Sequence, residues 1–403
     1  MLKEVVPIKR ERNLFNKLIS DDNLSKAIDE DNRTHRWKRG HRPNGCTAWI
    51  EETKPERIEE LRNILINGFI QKEPRVTKRY DASARKYRLV SEPIQWPDQY
   101  VHHALIQVIQ PVCMRGMDPY CCGSIRGRGT QKARKAISGW MVKDPRRTKY
   151  EFCGDIRHFY DSLKPEVVMD RMRQLIKDHR ILDLIWSIIK EGVLIGAYTS
   201  QWFANTVLQP LDNMIRQSGL CSYYVRYMDN LTLFGSNKRK LKKLKVMVEE
   251  RLNEKELKLK NDWQIFPVVR TEPKVSRKDM GYRSPKGRMP DAVGYRYGRG
   301  FILPRKHNLL RLKRTIAKYR WRVRHNKRMP YGCASGILSR LGQLKHCNNC
   351  NIYKRLFKGG RIVRELKRLV RKERKEEELT WSMYLELRRI LRSSKQKELI
   401  TVT

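Results

Sequence analysis

The sequence predicts an α+β protein in which helices surround a small antiparallel sheet. Helical periodicity recurs at 56–70, 96–110, 166–190, 200–217, 238–259 and 361–399. Between these lie short runs of aromatic and branched residues at 150–155, 221–235 and 292–303, pinched by turns as strands and hairpins are. At 403 residues the chain exceeds one ordinary domain, which implies two or three.

Charge narrows the partners. Lys and Arg number 88 against 43 Asp and Glu, a formal net charge of +45. So large a surplus repels itself, so an extended polyanion should favour the compact state. Nine Trp and seventeen Tyr argue against a disordered chain. No run of 18 apolar residues exists, which argues against a membrane span, and the first fifteen residues lack the apolar core of a secretory signal. Nine cysteines, an odd number, read as reduced thiols of a cytoplasmic protein.

In chain order, residues 1–45 form a mixed polar extension with a helix near Asn23–Asp29 and a loop at Arg39–Gly45. The stretch Arg75–Val90 has two basic alternating runs around Asp81-Ala-Ser and predicts a hairpin with a cationic face. Residues 150–165 read as a buried strand broken at Asp155, then a turn into a helix. Residues 221–235 read as a hairpin with Met228-Asp229-Asn230 at its tip. After Phe301 the composition shifts: residues 301–330 hold eleven Lys or Arg and no acid. Boundaries are therefore expected near 45, 150 and 300.

Asp155 and Asp229 each end a hydrophobic strand, about 75 residues apart. Carboxylates at strand ends can converge on one sheet edge. Two divalent cations held there would clamp the attacking and leaving oxygens of an in-line phosphoryl transfer. Alone, each Asp would pass as a turn residue.

At these residues the sequence resembles a reverse transcriptase. Asp155-Ile-Arg-His-Phe-Tyr160-Asp-Ser-Leu resembles that family's first catalytic motif, and Tyr227-Met-Asp229-Asn230 its YxDD box. Ile195-Gly196-Ala-Tyr-Thr-Ser200-Gln201 stands where most members carry QGxxxSP; the aliphatic-GxxxSQ form resembles the reverse transcriptases of diversity-generating retroelements. Arg126-Gly-Arg128-Gly-Thr130, Lys258-Leu-Lys260-Asn-Asp-Trp-Gln-Ile-Phe266 and Val293-Gly294-Tyr295-Arg296 agree with that subgroup. The ordered resemblance runs from about 75 to 350.

The resemblance implies a right-hand polymerase: fingers over 46–150 with the first palm elements, a palm with an antiparallel sheet over 151–300, and a basic helical thumb with C-terminal helices over 301–403. It implies an RNA-directed DNA polymerase making cDNA with two Mg²⁺ ions, Mn²⁺ also being accepted. Asp155, Asp229 and Asn230 are the implied catalytic residues, and Asp155, Ile156 and Asp229 the implied metal ligands. Asn230 replaces the family's second Asp, keeping a carbonyl oxygen and losing a charge, so a weakened metal site is expected. The competing reading is an inactive scaffold that binds RNA.

The nucleotide site is implied at Lys86, Arg88, Tyr160, Ile195, Gly196, Gln201 and Lys260. Tyr160 would stack under the incoming sugar and exclude a 2′-hydroxyl, a core Tyr being the alternative. Ile195 offers no hydrogen bond to the nascent pair, which goes by resemblance with error-prone copying opposite template adenine. Gly196 would admit close backbone approach, and Ser200 and Gln201 would start a helix or contact template. Arg85, Lys86 and Arg88, with Arg75 and Lys78, offer cations for triphosphate oxygens or a solvated basic face. Lys260 would protonate pyrophosphate or balance phosphate charge.

Arg126, Arg128, Arg305, Lys306, Arg311, Lys313, Arg314 and Lys318 are expected to bind nucleic acid, the thumb residues lying along an A-like heteroduplex. Cys347-Asn-Asn-Cys350 has the spacing of half a zinc site but no second CxxC, so reduced thiols are favoured. His102 and His103 read as structural. The expected partners are an RNA template, a cDNA/RNA heteroduplex and dNTPs, with an accessory protein or a structured noncoding RNA beside them. The resemblance points to a retroelement that diversifies a target gene, with an antiphage-defence reverse transcriptase working with a structured noncoding RNA as the alternative.

Overall fold

The computed structural model describes residues 10–38, 42–81, 86–269, 287–348, 350–357 and 360–401. At its centre is a four-stranded antiparallel sheet in the spatial order Tyr223–Tyr227, Asn230–Gly235, Tyr150–Asp155, Gln264–Pro267. Side chains alternate across a sheet, so register decides what each face buries. Phe152, Tyr224, Leu231 and Leu233 enter the main helical core. Val225 and Phe234 enter a second core on the opposite face, shared with the helix Gly129–Lys143. Both faces of these short strands are therefore covered, which fixes their register and the position of their ends.

The main core is built by helices including Asp21–His35, Tyr100–Met114, Pro165–Leu175, His179–Ile189, Tyr198–Val207 and Lys238–Asn253. In His179–Ile189, Ile181, Ile185, Ile188 and Ile189 recur three to four residues apart and are buried on one stripe. The expected helix over 166–190 is two, separated between Leu175 and His179. The one over 200–217 divides at Leu208, where Pro210 opens the second helix. The periodicity from Trp96 becomes α-helix only at Tyr100, because Pro97 keeps Trp96 extended (φ −109°, ψ 129°). The expected hairpin over 292–303 is a three-stranded sheet: Asp291–Ala292, Tyr295–Tyr297 and Ile302–Pro304.

A third core joins the helices Lys306–Arg324, Tyr331–Leu344, Cys350–Phe357 and Arg361–Thr401 through Leu312, Ile316, Leu341, Phe357 and Leu366. The last helix has 41 residues, a length of about 60 Å. Its far part returns to the start of the chain. Trp381, 4% exposed, sets its ring 5.8 Å from that of Trp37, and its indole N–H donates to Glu51 Oε2 at 3.1 Å. Arg388 Nε donates to Glu52 Oε1 at 2.7 Å. Trp381→Ala should therefore cost about 3 kcal/mol in denaturant unfolding, the usual cost of truncating a buried Trp. A loss under about 0.5 kcal/mol would show that this contact does not hold the helix down. Among the described residues no helix is long and apolar enough to cross a membrane.

Candidate active site

The strand Tyr150–Asp155 ends with Asp155 opposite Asn230, and Tyr227 pairs with Asn230 across the hairpin. That register leaves Met228 and Asp229 as a two-residue loop. Met228 takes a left-handed φ of 55°, a conformation that strains a residue with a side chain. The Ile156 N–H donates to the Asp229 carbonyl at 3.2 Å and ties the loop to the chain beyond Asp155. The two carboxyl groups are thereby brought together. Burial, then the neighbouring Asp155 carboxyl, push Asp229 above the usual carboxylate range.

The Lys260 N–H donates to the Asp155 carbonyl at 2.8 Å, and the Lys260 ammonium pairs with Asp155 Oδ2. Asp155 Oδ1 is buried with no hydrogen-bond partner. Asn230 Nδ2 donates to Asp229 Oδ1 at 3.2 Å. Asn230 thus donates to Asp229, where an Asp would add a third negative charge. A divalent cation fits this set: two like-charged carboxylates lie together, one oxygen lacks a donor, and a single ammonium balances them. Among the described residues no group of three or more His, Cys, Asp or Glu gathers to hold a metal. The Ile156 side chain is buried, so any contribution of that residue to a cation would come from its carbonyl. A groove of about 430 Å³ adjoins the site, lined by Asp155, Tyr227, Asn230, Asp262, Asp291 and Arg305 among others.

Of the expected nucleotide residues, Tyr160 lies close enough to Asp229 that burial, and then that carboxylate, raise its phenol. Gly196 is held by the hairpin Arg75–Asp81/Lys86–Glu92: its N–H donates to the Ser91 carbonyl at 3.0 Å. A Cβ on Gly196 would lie 2.7 Å from that oxygen and 2.6 Å from Glu92 Cγ. The close approach expected at Gly196 is therefore made to this hairpin. Ile195 is half-buried in the turn ahead of Tyr198–Val207, and Gln201 lies in that helix's first turn. Ala197 takes the cap position and Ser200 is buried inside the helix, so Ser200 is not the cap. Arg88 is exposed and pairs across the ribbon with Arg79, whereas Arg85 and the Lys86 side chain lie outside the described residues.

Arg126 is exposed. Arg128 is half-buried, and its Nη1 donates to the Asp118 and Cys121 carbonyls at 2.6 and 3.1 Å. On the basic helix, Lys306, Lys313, Arg314 and Lys318 are exposed, Arg311 is half-buried and Arg305 pairs with Asp291. His102 is buried between Gln71 and Thr199, and burial lowers it to about 3. Burial pushes the Cys347 thiol up to about 11, while Cys350's side chain lies outside the described residues. Sequence reading passed over Arg226, Asp212 and Asn205, all buried behind the Asp229 loop. An arginine in a strand of Tyr and Val reads as solvent-facing, and no local pattern signals distant partners.

Residues 70–263 match the family described as Reverse transcriptase (RNA-dependent DNA polymerase). No curated protein matches the chain. Similar solved structures include apo telomerase from Candida tropicalis truncated from its C-terminal domain. The identity is 12% and the TM-score 0.41, over 57% of this chain and 54% of that one. The chain thus spans about half the length of that telomerase chain.

Proposed function

We propose that this chain, which carries a reverse transcriptase domain over residues 70–263 in a right-hand polymerase fold, copies RNA into cDNA by nucleotidyl transfer at Asp155 and Asp229. The observation that carries the reading is the meeting of those two carboxyls at one hairpin tip, with an undonated oxygen on Asp155. In this reading residues 1–45 are an N-terminal extension, 46–150 the fingers, 151–300 the palm and 301–403 the thumb with the C-terminal helices.

Asp155, Asp229 and the Ile156 carbonyl would hold Mg²⁺, or Mn²⁺. When bound, two such ions lower the pKa of the primer 3′-hydroxyl and neutralise the leaving pyrophosphate. Tyr160, beside Asp229, would pack against the incoming sugar and exclude ribose. Lys260 pairs with Asp155, and its ammonium would serve the pyrophosphate oxygens, as a proton donor or as a balancing charge. Arg88 and Lys86 would bind the triphosphate from the ribbon that Gly196 abuts. The exposed cations Lys306, Lys313, Arg314 and Lys318 would follow a heteroduplex backbone by charge and shape, not base sequence.

The finer reading is an error-prone enzyme of a diversity-generating retroelement acting in the cytoplasm, with an accessory protein as partner. It rests on Ile195 and the GxxxSQ run after it. Ile195→Gln should restore one hydrogen bond at the nascent pair, worth about 1–1.5 kcal/mol, and so lower misincorporation opposite template adenine about tenfold. An unchanged error spectrum in sequenced products would contradict this account of the pocket. Polymerase activity itself is tested with a primed RNA template, dNTPs and Mg²⁺ or Mn²⁺. Template-copied DNA is expected; tight RNA binding without product in either metal would overturn the reading.

A further inference from the structure

We propose that Arg226, Asp212 and Asn205 form a positioning device for Asp229, holding the Met228–Asp229 loop where the two carboxylates can share divalent cations. The proposal rests on the polymerase reading above and assigns the part of the molecule that sets its metal site.

Arg226 and Asp212 have no exposed side-chain surface. Arg226 Nε and Nη2 donate to the two oxygens of Asp212 at 2.8 and 2.7 Å, a bidentate pair. Nη1 donates to Asn205 Oδ1 at 2.9 Å, and Nη2 to the Asn205 carbonyl at 3.3 Å. The remaining donation runs from Nη1 to the Met228 carbonyl at 3.0 Å, one residue before Asp229. All five guanidinium N–H groups are thus used, four on a buried frame and one on the loop. The frame is itself fixed: Tyr224 donates to Asp212 Oδ1 at 2.6 Å, and Asn205 Nδ2 donates to the Gly123 carbonyl at 2.9 Å.

Gly123 closes the grip. A Cβ there would lie 2.5 Å from Met228 Sδ and 2.6 Å from its backbone nitrogen, so only glycine lets the loop sit where it does. Gly123's own φ is outside the left-handed region, so alanine meets no local strain beyond that collision. Met228 therefore sits between Gly123 and the guanidinium, in a strained conformation that its surroundings must enforce. With the Met228 carbonyl held by Arg226 and the Asp229 carbonyl held by Ile156, the backbone on both sides of the Asp229 side chain is fixed. A buried ion pair is a poor source of stability against apolar residues of equal volume, which leaves specificity of geometry as its use here.

The test measures Mn²⁺ affinity by electron paramagnetic resonance and the half-saturating Mg²⁺ for primer extension, on the full chain, its Gly123→Ala and Arg226→Lys variants and Asp229→Ala. Gly123→Ala should still fold without metal, at a lowered melting temperature because its methyl overpacks the loop, yet bind Mn²⁺ about tenfold more weakly and need about tenfold more Mg²⁺, as loss of supporting contacts does at metal sites. Arg226→Lys keeps the charge but not the five-donor fork, and should shift both constants the same way; if it fails to fold, Gly123→Ala decides. Parent Mn²⁺ affinity in Gly123→Ala would overturn the proposal. A parent that binds Mn²⁺ no better than Asp229→Ala would instead overturn the polymerase site, and this proposal with it.

Discussion

Asp155→Ala and Asp229→Ala are each expected to lower nucleotide incorporation by about three orders of magnitude or more while leaving the metal-free protein folded. The activity loss follows from charge. Two carboxylates are the anions that hold the cations, and cation stabilisation of phosphoryl transfer amounts to several kcal/mol, each 1.4 kcal/mol being tenfold in rate. Stability moves the other way for Asp229. Its carboxyl is raised by burial and by Asp155, so the folded chain keeps a proton that the unfolded chain releases. The metal-free protein therefore loses stability as pH rises from the ordinary carboxylate value toward the raised one, by at most about 1.4 kcal/mol per pH unit for one proton. Asp229→Asn should lack that slope and melt higher than the parent at pH 8 without metal. An Asn variant equally active, or one less stable at pH 8, would contradict a strained anionic site.

Gly196→Ala is the second large effect. The added methyl would meet the Ser91 carbonyl at 2.7 Å and Glu92 Cγ at 2.6 Å. A side chain can swing aside, but the Ser91 oxygen is backbone in a paired strand. The ribbon bearing Lys86 and Arg88 must therefore move relative to the helix Tyr198–Val207. Displacements of about 1 Å in a binding group cost up to about a hundredfold in rate. KM for dNTP should rise tenfold or more, with a smaller change in kcat and little loss of thermal stability, because Gly196 itself is exposed. An unchanged KM would separate the ribbon from nucleotide binding.

Much of this site was legible because its signals are local. A strand that stops at Asp155 and a hairpin pinched at Met228-Asp229-Asn230 need only alternation and a break to be seen, and register then brings the ends together. Helix ends were less legible where the punctuation is slight: Asp178 alone marks the start of His179–Ile189, and its carboxylate accepts from the distant Phe15 N–H, not from its own helix. Gln264–Pro267 is visible only as part of a motif, since four residues do not establish a period. The remaining misses are tertiary. Arg128 and Arg226 look alike in sequence to the exposed Arg126, yet one closes a turn and the other is fully enclosed. Trp381 and Trp37 meet across nearly the whole chain, a pairing that no periodicity encodes.

The most direct test is to locate Mn²⁺ by its anomalous scattering in crystals of the chain with an RNA template, a primer lacking its 3′-hydroxyl, and the next dNTP. The account predicts two ions between Asp155 and Asp229, with the Ile156 carbonyl and the triphosphate completing their shells. Ions bound elsewhere on the chain, or the two carboxylates turned apart with the nucleotide in place, would contradict it.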